Sequence, residues 1–147
     1  MRKNAIWSSE GGCKISYGTT LEVLDDAILN SGYFTMNCNS VIVAARKIVL
    51  GQDVMIGRNA VIYDSDFHQL LSKDGKLINP STAVKIGDHV WLGTNVMILK
   101  GTTIGKNSVI GANAVVNEQV PESVIYNTKR ETFIRDEFEK WDRKCPV

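Results

Sequence analysis

With 147 residues, 44% of them hydrophobic and 22% charged, the chain has material for one domain with a real core and too little for two. A net charge of +1 gives no electrostatic reason to expect nucleic acid or a membrane surface as partner. The longest apolar runs are a few residues, too short to cross a bilayer, and the charged start Met1-Arg2-Lys3-Asn4-Ala5-Ile6 lacks the apolar stretch of a secretory leader.

Along residues 1–35 the pattern is weak. Leu21-Glu22-Val23-Leu24 and Ala27-Ile28-Leu29 read as irregular early coils of whatever follows. From residue 36 to 121 a beat of six sets in. Leu50, Ile56, Ile62, Ile86, Leu92, Ile98, Ile104, Ile110 and Val116 stand in one frame, and Cys38 with Ile42 and Ala44 with Ile48 extend it backwards. Glycine often follows the aliphatic, as at Gly51, Gly57, Gly87, Gly93, Gly105 and Gly111. Four residues after the aliphatic comes a small or β-branched side chain, for example Ala60, Val90, Thr102 or Ala114. A helix repeats apolar residues every 3.6 positions and a half-buried strand every 2, so neither explains the beat. A short strand followed by a tight corner does. The aliphatic points inward, the glycine is expected to supply unusual backbone angles, and the small residue fits a narrow interior. Three such faces make one coil of a parallel β-helix, and stacked coils bury a core that none buries alone. About four coils are expected in this single all-β solenoid domain spanning 1–147.

The beat breaks after Ile62. Tyr63-Asp64-Ser65-Asp66-Phe67-His68 interrupts the frame, His68–Asn79 reads as an extruded loop, and Pro80-Ser81-Thr82-Ala83-Val84-Lys85 restores the register. An imidazole at such a break is either a surface histidine or a proton acceptor poised near neutral pH. Transfer of an acyl group to an alcohol needs such a base, since the hydroxyl is a poor nucleophile until its proton is being removed. Asp64 and Asp66 are candidates to orient the ring or to bind acceptor hydroxyls. After Val120-Pro121 the beat stops. Ile134, Phe138 and Trp141 follow helical spacing within a charged run, which predicts a C-terminal α-helix over 130–143 capping the open end. Cys13, Cys38 and Cys145 are odd in number and far apart, a pattern of reduced cytoplasmic thiols rather than of disulfides or a zinc site, so no metal is expected.

The segment Ile86-Gly87-Asp88-His89-Val90-Trp91-Leu92-Gly93-Thr94-Asn95, with His68 upstream and Ile104-Gly105-Lys106-Asn107-Ser108-Val109-Ile110-Gly111-Ala112 downstream, resembles the hexapeptide-repeat acetyltransferases that act on galactosides, maltose and capsular polysaccharide. The resemblance covers roughly residues 36–126. It implies a left-handed parallel β-helix, acetyl-CoA as acyl donor, a sugar or glycan hydroxyl as acceptor, and a homotrimer with its sites between subunits. It implies His68 as general base and Asn37, with Asp64 and Asp66, on the acceptor side. Trp91, Gly93, Thr94, Gly111 and Ala112 are implied along the cofactor, with the Thr94 N–H at the thioester carbonyl and the Ala112 backbone on the pantetheine arm. His89 fills a slot that takes several polar residues. The family's lysine near Glu118 and its Gly-x-Pro-Ala turn are missing, and Lys129, Arg130 and Arg135 are the cations left for the nucleotide end. If the loop 68–79 is set aside, counting in sixes stacks Asp64, Thr94 and Ala112 in one line with His68 just beyond.

Three other readings share the pattern. A zinc enzyme of the γ-carbonic-anhydrase type needs three protein ligands, and those enzymes use three histidines where this chain has two. A non-catalytic solenoid would show an unbroken beat without a histidine-bearing loop. An amino-sugar N-acetyltransferase would keep the donor and change the acceptor to an amine.

Overall fold

The computed structural model describes residues 2–128, so the helix expected over 130–143 and the cations Lys129 and Arg130 lie outside the described residues. Within them the chain winds through β1 (Ile6–Ser9), β2 (Cys13–Ile15) and β3 (Thr20–Val23) in a first coil, then β4 (Ile28–Ser31), β5 (Phe34–Met36) and β6 (Val41–Ala44) in a second. The third coil holds β7 (Lys47–Leu50), β8 (Val54–Ile56) and β9 (Val61–Tyr63), and the fourth β10 (Val84–Ile86), β11 (Trp91–Leu92) and β12 (Met97–Ile98). Then follow β13 (Thr103–Ile104), β14 (Val109–Ile110) and β15 (Val115–Val116), and finally β16 (Gln119–Val120) with β17 (Ile125–Tyr126). Every third strand pairs in parallel, giving three sheets: A (β1-β4-β7-β10-β13-β16), B (β2-β5-β8-β11-β14-β17) and C (β3-β6-β9-β12-β15).

Register explains the beat. Leu50 pairs with Ile86, Ile86 with Ile104 and Ile104 with Val120 in sheet A. Met36, Ile56, Leu92 and Ile110 are aligned in sheet B, and Ile42, Ile62, Ile98 and Val116 in sheet C. All of these are buried, so the core is three aliphatic columns meeting on the axis of a triangular prism. Three buried hydroxyls are satisfied by backbone, Ser40 Oγ donating to Gly57 O, Thr102 Oγ1 to Val116 O and Ser108 Oγ to Pro121 O, whereas Ser31 Oγ has no partner among the described residues.

Six coils are seen where about four were expected, because residues 1–35 join the solenoid. Those first strands are regular in pairing and irregular in length. Ser8 lies beside Asn30 at a separation of 22 residues, Ser40 beside Ala60 at 20, Asn95 beside Asn113 at 18, and Ser108 beside Val124 at 16. Only the middle coils repeat as three sixes. The longer early corners hide the same stacking from a search at fixed period.

The glycines serve a different purpose from the one expected. Positive φ falls two residues later in the corner, at Asp53, His89 and Asn107 between sheets A and B and at Asn39, Asn59, Asn95 and Asn113 between sheets B and C. Asparagine and aspartate tolerate this region better than most residues. At the B–C edge their side chains form a ladder, with Asn59 Nδ2 donating to Asn95 Oδ1 (3.1 Å) and Asn95 Nδ2 to Asn113 Oδ1 (3.2 Å). The glycines permit close stacking instead. A Cβ on Gly93 would lie 2.8 Å from Ala112 N and 2.9 Å from Ile110 O, both backbone atoms of the next coil. Gly93→Ala is therefore expected to cost about 1–3 kcal/mol through forced separation of two coils. Urea unfolding checks this, and an unchanged midpoint would remove the argument.

Candidate active site

The sequence-marked residues gather on two different edges of the prism. At the B–C edge, Asn37, Gly57, Gly93 and Gly111 occupy equivalent corner positions, because their N–H groups donate to the carbonyls of Ile56, Leu92, Ile110 and Tyr126, each the last sheet-B residue of the following coil. Thr94 and Ala112 are the exposed residues that follow Gly93 and Gly111. Their N–H groups donate to nothing among the described residues, while Thr94 O accepts from Asn113 N at 2.9 Å. The edge thus offers, one coil apart, backbone donors without a partner among the described residues, the kind of fixed dipole that stabilises developing negative charge. Asn37 brings an amide to the same edge; its Nδ2 is spent on Ile56 O (3.1 Å), leaving Oδ1 free of protein partners among the described residues.

Trp91 stands on the outer face of sheet B, between Met55 and Val109 and next to the A–B corner, and is 52% exposed. The indole, Met55 and Val109 form the floor of a depression of about 250 Å³, with Asp53, His89 and Asn107 at its rim. His89 is held there by a hydrogen bond between its Nδ1 and Asp53 Oδ2 (2.7 Å), the A–B counterpart of the asparagine ladder, and it takes a φ of 53°. Its surroundings are those of a corner residue. His89→Asn, which suits both the backbone angle and the ladder, is expected to keep folding stability within about 0.5 kcal/mol of the parent. A denaturation series measures that directly.

His68 lies on the C–A edge. The excursion is longer than the expected 68–79, leaving the solenoid after Asp64 and returning at Thr82, whose N–H donates to Asp64 O (3.0 Å). Beyond it the chain re-enters on sheet A and not one face later. The expected alignment of Asp64 with Thr94 and Ala112 is therefore wrong: Ile62 pairs with Ile98 in sheet C, Leu92 with Ile56 and Ile110 in sheet B. Thr94 and Ala112 do stack, and Asp64 belongs to another edge.

Asp64 is also corrected as an acceptor ligand. It is fully buried, and its carboxylate accepts from the N–H groups of Ala45 (2.7 Å), Arg46 (2.8 Å) and Lys47 (2.5 Å). It staples the third coil's entry to the end of β9 where the chain must turn out into the loop. Asp66 is exposed but engaged, accepting from Lys100 Nζ (2.6 Å) and Asn79 Nδ2 (2.9 Å). The hydrogen bond from Lys100, then that from Asn79, hold its carboxyl below the ordinary aspartate value. A depressed value means that the contact is complete above the unfolded aspartate range and is lost only as pH falls through the folded value.

The loop itself is a small hairpin closed by the antiparallel bridge Leu71–Leu77. His68 sits at its neck in a depression of about 190 Å³ shared with Ser65, Phe67, Asn79 and Ser81. Trp91, Thr94 and Ala112 line no part of it. A further depression of about 310 Å³ lies away from both groups and is bounded by Ser8, Asn30, Gln52 and Asp88. Sequence reasoning missed Asn79 and Lys100. The Asn79-Pro80 pair was the available signal, since a residue before proline is held extended where a loop rejoins its scaffold. At the far end, Glu118, which stands where the resemblance expects lysine, accepts from Tyr126 Oη (2.6 Å), and that bond raises the phenol above its ordinary value.

Residues 83–118 match the family model described as bacterial transferase hexapeptide (six repeats). Over 69 residues, 46% of this chain and 32% of the relative, the sequence is 42% identical to the polysialic acid O-acetyltransferase of Neisseria meningitidis. Over 112 residues, 75% of this chain and 51% of the relative, it is 33% identical to the galactoside O-acetyltransferase of Escherichia coli. The chain spans about half or less of the length of these curated relatives. A crystal structure of a hexapeptide-repeat acetyltransferase of Vibrio cholerae, in complex with acetyl coenzyme A, superimposes with a TM-score of 0.65 at 27% identity, covering 81% of this chain and 64% of that one. By its repeat and its three-sheet solenoid, this chain is a hexapeptide-repeat β-solenoid, and the proteins it is similar to are acetyltransferases.

Proposed function

We propose that the protein is an acetyl-CoA-dependent O-acetyltransferase acting on a hydroxyl of a sugar or glycan, with His68 as general base. The observation that carries the reading is the separation of functions on the prism: a histidine at the one long break in the repeat on the C–A edge, and backbone donors without a partner among the described residues on the B–C edge, with an exposed tryptophan on the adjoining face of sheet B. One copy does not bring them together. A second copy, packed so that its B–C edge faces the first copy's loop, does, and a closed homotrimer repeats that contact three times. The names of the relatives support the sugar acceptor, and the acetyl coenzyme A in the similar structure supports the donor.

In this arrangement the imidazole of His68 removes the acceptor proton as the oxygen attacks the thioester carbonyl carbon. Thr94 N–H receives the charge that develops on the carbonyl oxygen. Collapse breaks the C–S bond, and the departing thiolate takes the proton back from the imidazolium, so that proton and charge balance. Trp91 and the Gly93–Thr94 and Gly111–Ala112 corners line the donor, with Lys129 and Arg130 for its phosphates, and Asn37 faces the acceptor. Release of free thiol from acetyl-CoA, followed against a panel of sugars, sugar nucleotides and amines, tests the reading. Acceptor-dependent thiol release with an alkali-labile ester product supports it, and release with amines alone would overturn it.

A further inference from the structure

The hydrogen bonds that converge on the neck of the extruded loop have a single centre. Asn79 Nδ2 donates to Asp66 Oδ2 (2.9 Å) and to His68 O (2.8 Å), and Asn79 Oδ1 accepts from Leu70 N (2.7 Å). Residues 66, 68 and 70 each present a group to Asn79, the backbone bending at Phe67 and His68 to bring them there. The next rung of the hairpin is ordinary backbone, Ile78 N to Leu70 O (2.9 Å). The Asn79 amide therefore continues the ladder as a surrogate peptide, one rung further toward the solenoid than the backbone reaches. Pro80 follows at once and keeps Asn79 extended.

The opposite side of the neck is fixed independently. Phe67 takes a φ of 60° and packs edge-on against Tyr63, ring centroids 5.1 Å apart. Ser65 Oγ accepts from Phe67 N (3.0 Å) and from Ser81 Oγ (2.9 Å), tying both ends of the loop together. Lys100, which follows β12 in the next coil, reaches Asp66 at 2.6 Å and moors the whole assembly to the rigid scaffold. Without these ties a histidine on an exposed hairpin would sample many orientations, and a general base gains its rate only when held within hydrogen-bond reach of the proton it takes.

We propose that Asn79, with the Lys100–Asp66 ion pair behind it, is the positioning element of the site: a side-chain clasp that locks the His68 main chain and so sets the direction of its imidazole. The inference rests on the reading of His68 as base. Asn79 and Lys100 touch no substrate in it; they act through His68. The clasp predicts a selective loss, in kcat and not in donor binding, because the B–C edge that lines the donor is untouched.

Asn79→Ala, Lys100→Met and Lys100→Arg, compared with His68→Ala, form the test, using thiol release from acetyl-CoA with an acceptor active for the parent. Asn79→Ala and Lys100→Met are expected to lower kcat about 10- to 100-fold, the scale of losing a base's orientation, with KM for acetyl-CoA within about twofold. Lys100→Arg restores the ion pair and most of the rate. Far-ultraviolet circular dichroism and the melting midpoint stay at parental values, since the neck lies outside the three aliphatic columns. Parental kcat in Asn79→Ala, beside an inactive His68→Ala, would overturn the clasp and leave the base standing. Parental kcat in His68→Ala would remove the base itself. Equal losses in Lys100→Met and Lys100→Arg would show that the charge pair does not matter and would overturn its part.

Discussion

His68→Ala is expected to lower kcat by about 10²- to 10⁴-fold while thermal unfolding stays where it was. The two halves of the expectation have separate causes. His68 is exposed on a loop outside the solenoid, so no core contact is lost with the ring. The two carboxylates just before it in the chain are engaged elsewhere: Asp66 is tied to Lys100 and Asn79, and Asp64 is spent on three backbone amides. The chain's other imidazole, His89, stands on the A–B edge with its Nδ1 on Asp53. Initial rates with saturating donor and acceptor measure the first half and a melting curve the second. A variant that turns over at the parental rate would end the assignment.

Asp64→Ala is expected to do the reverse, costing about 2–4 kcal/mol of stability, because the substitution strands three backbone donors at a part-buried corner. Each of those N–H groups is paired with a carboxylate oxygen, and charge-assisted bonds of this kind are stronger than neutral ones. For a chain of this size the loss corresponds to a fall of roughly 10 °C in melting midpoint. Urea unfolding of parent and variant compares them directly. Below saturation with denaturant, the folded fraction of the variant keeps the parental KM for acceptor, since Asp64 faces the scaffold and not the groove. A variant as stable as the parent but with a raised acceptor KM would return Asp64 to the binding site.

The repeat was legible because sheet register converts directly into sequence spacing. Aliphatics that stack in a column must recur at the coil length, and in the middle coils that length is a multiple of six. Where corners lengthen, as around Ser8 and Asn30, the stacking survives and the spacing does not. For the same reason, counting in sixes across the insertion misplaced Asp64 by an edge: the sequence cannot say how many faces an excursion replaces. The left-handed corner residues were present in the sequence as a second beat, three positions after each aliphatic at Asp53, Asn59, His89, Asn95, Asn107 and Asn113. That beat also explains His89 as a corner. His68 was visible as the residue at the break, whereas Asn79 and Lys100 were not, because their partners depend on how the hairpin folds back on the next coil.

The account stands or falls on whether one copy's His68 works with another copy's Thr94 corner. Thr94→Pro removes the N–H at that corner, together with the Thr side chain and the freedom of φ, and His68→Ala removes the imidazole. Each alone is expected to be inactive, and the two refolded together in equal amounts should recover about a quarter of parental activity, since a site drawing on two subunits is intact when each supplies its unmutated half. Activity in the mixture no higher than in the separate variants would place both groups in one chain and contradict the shared site.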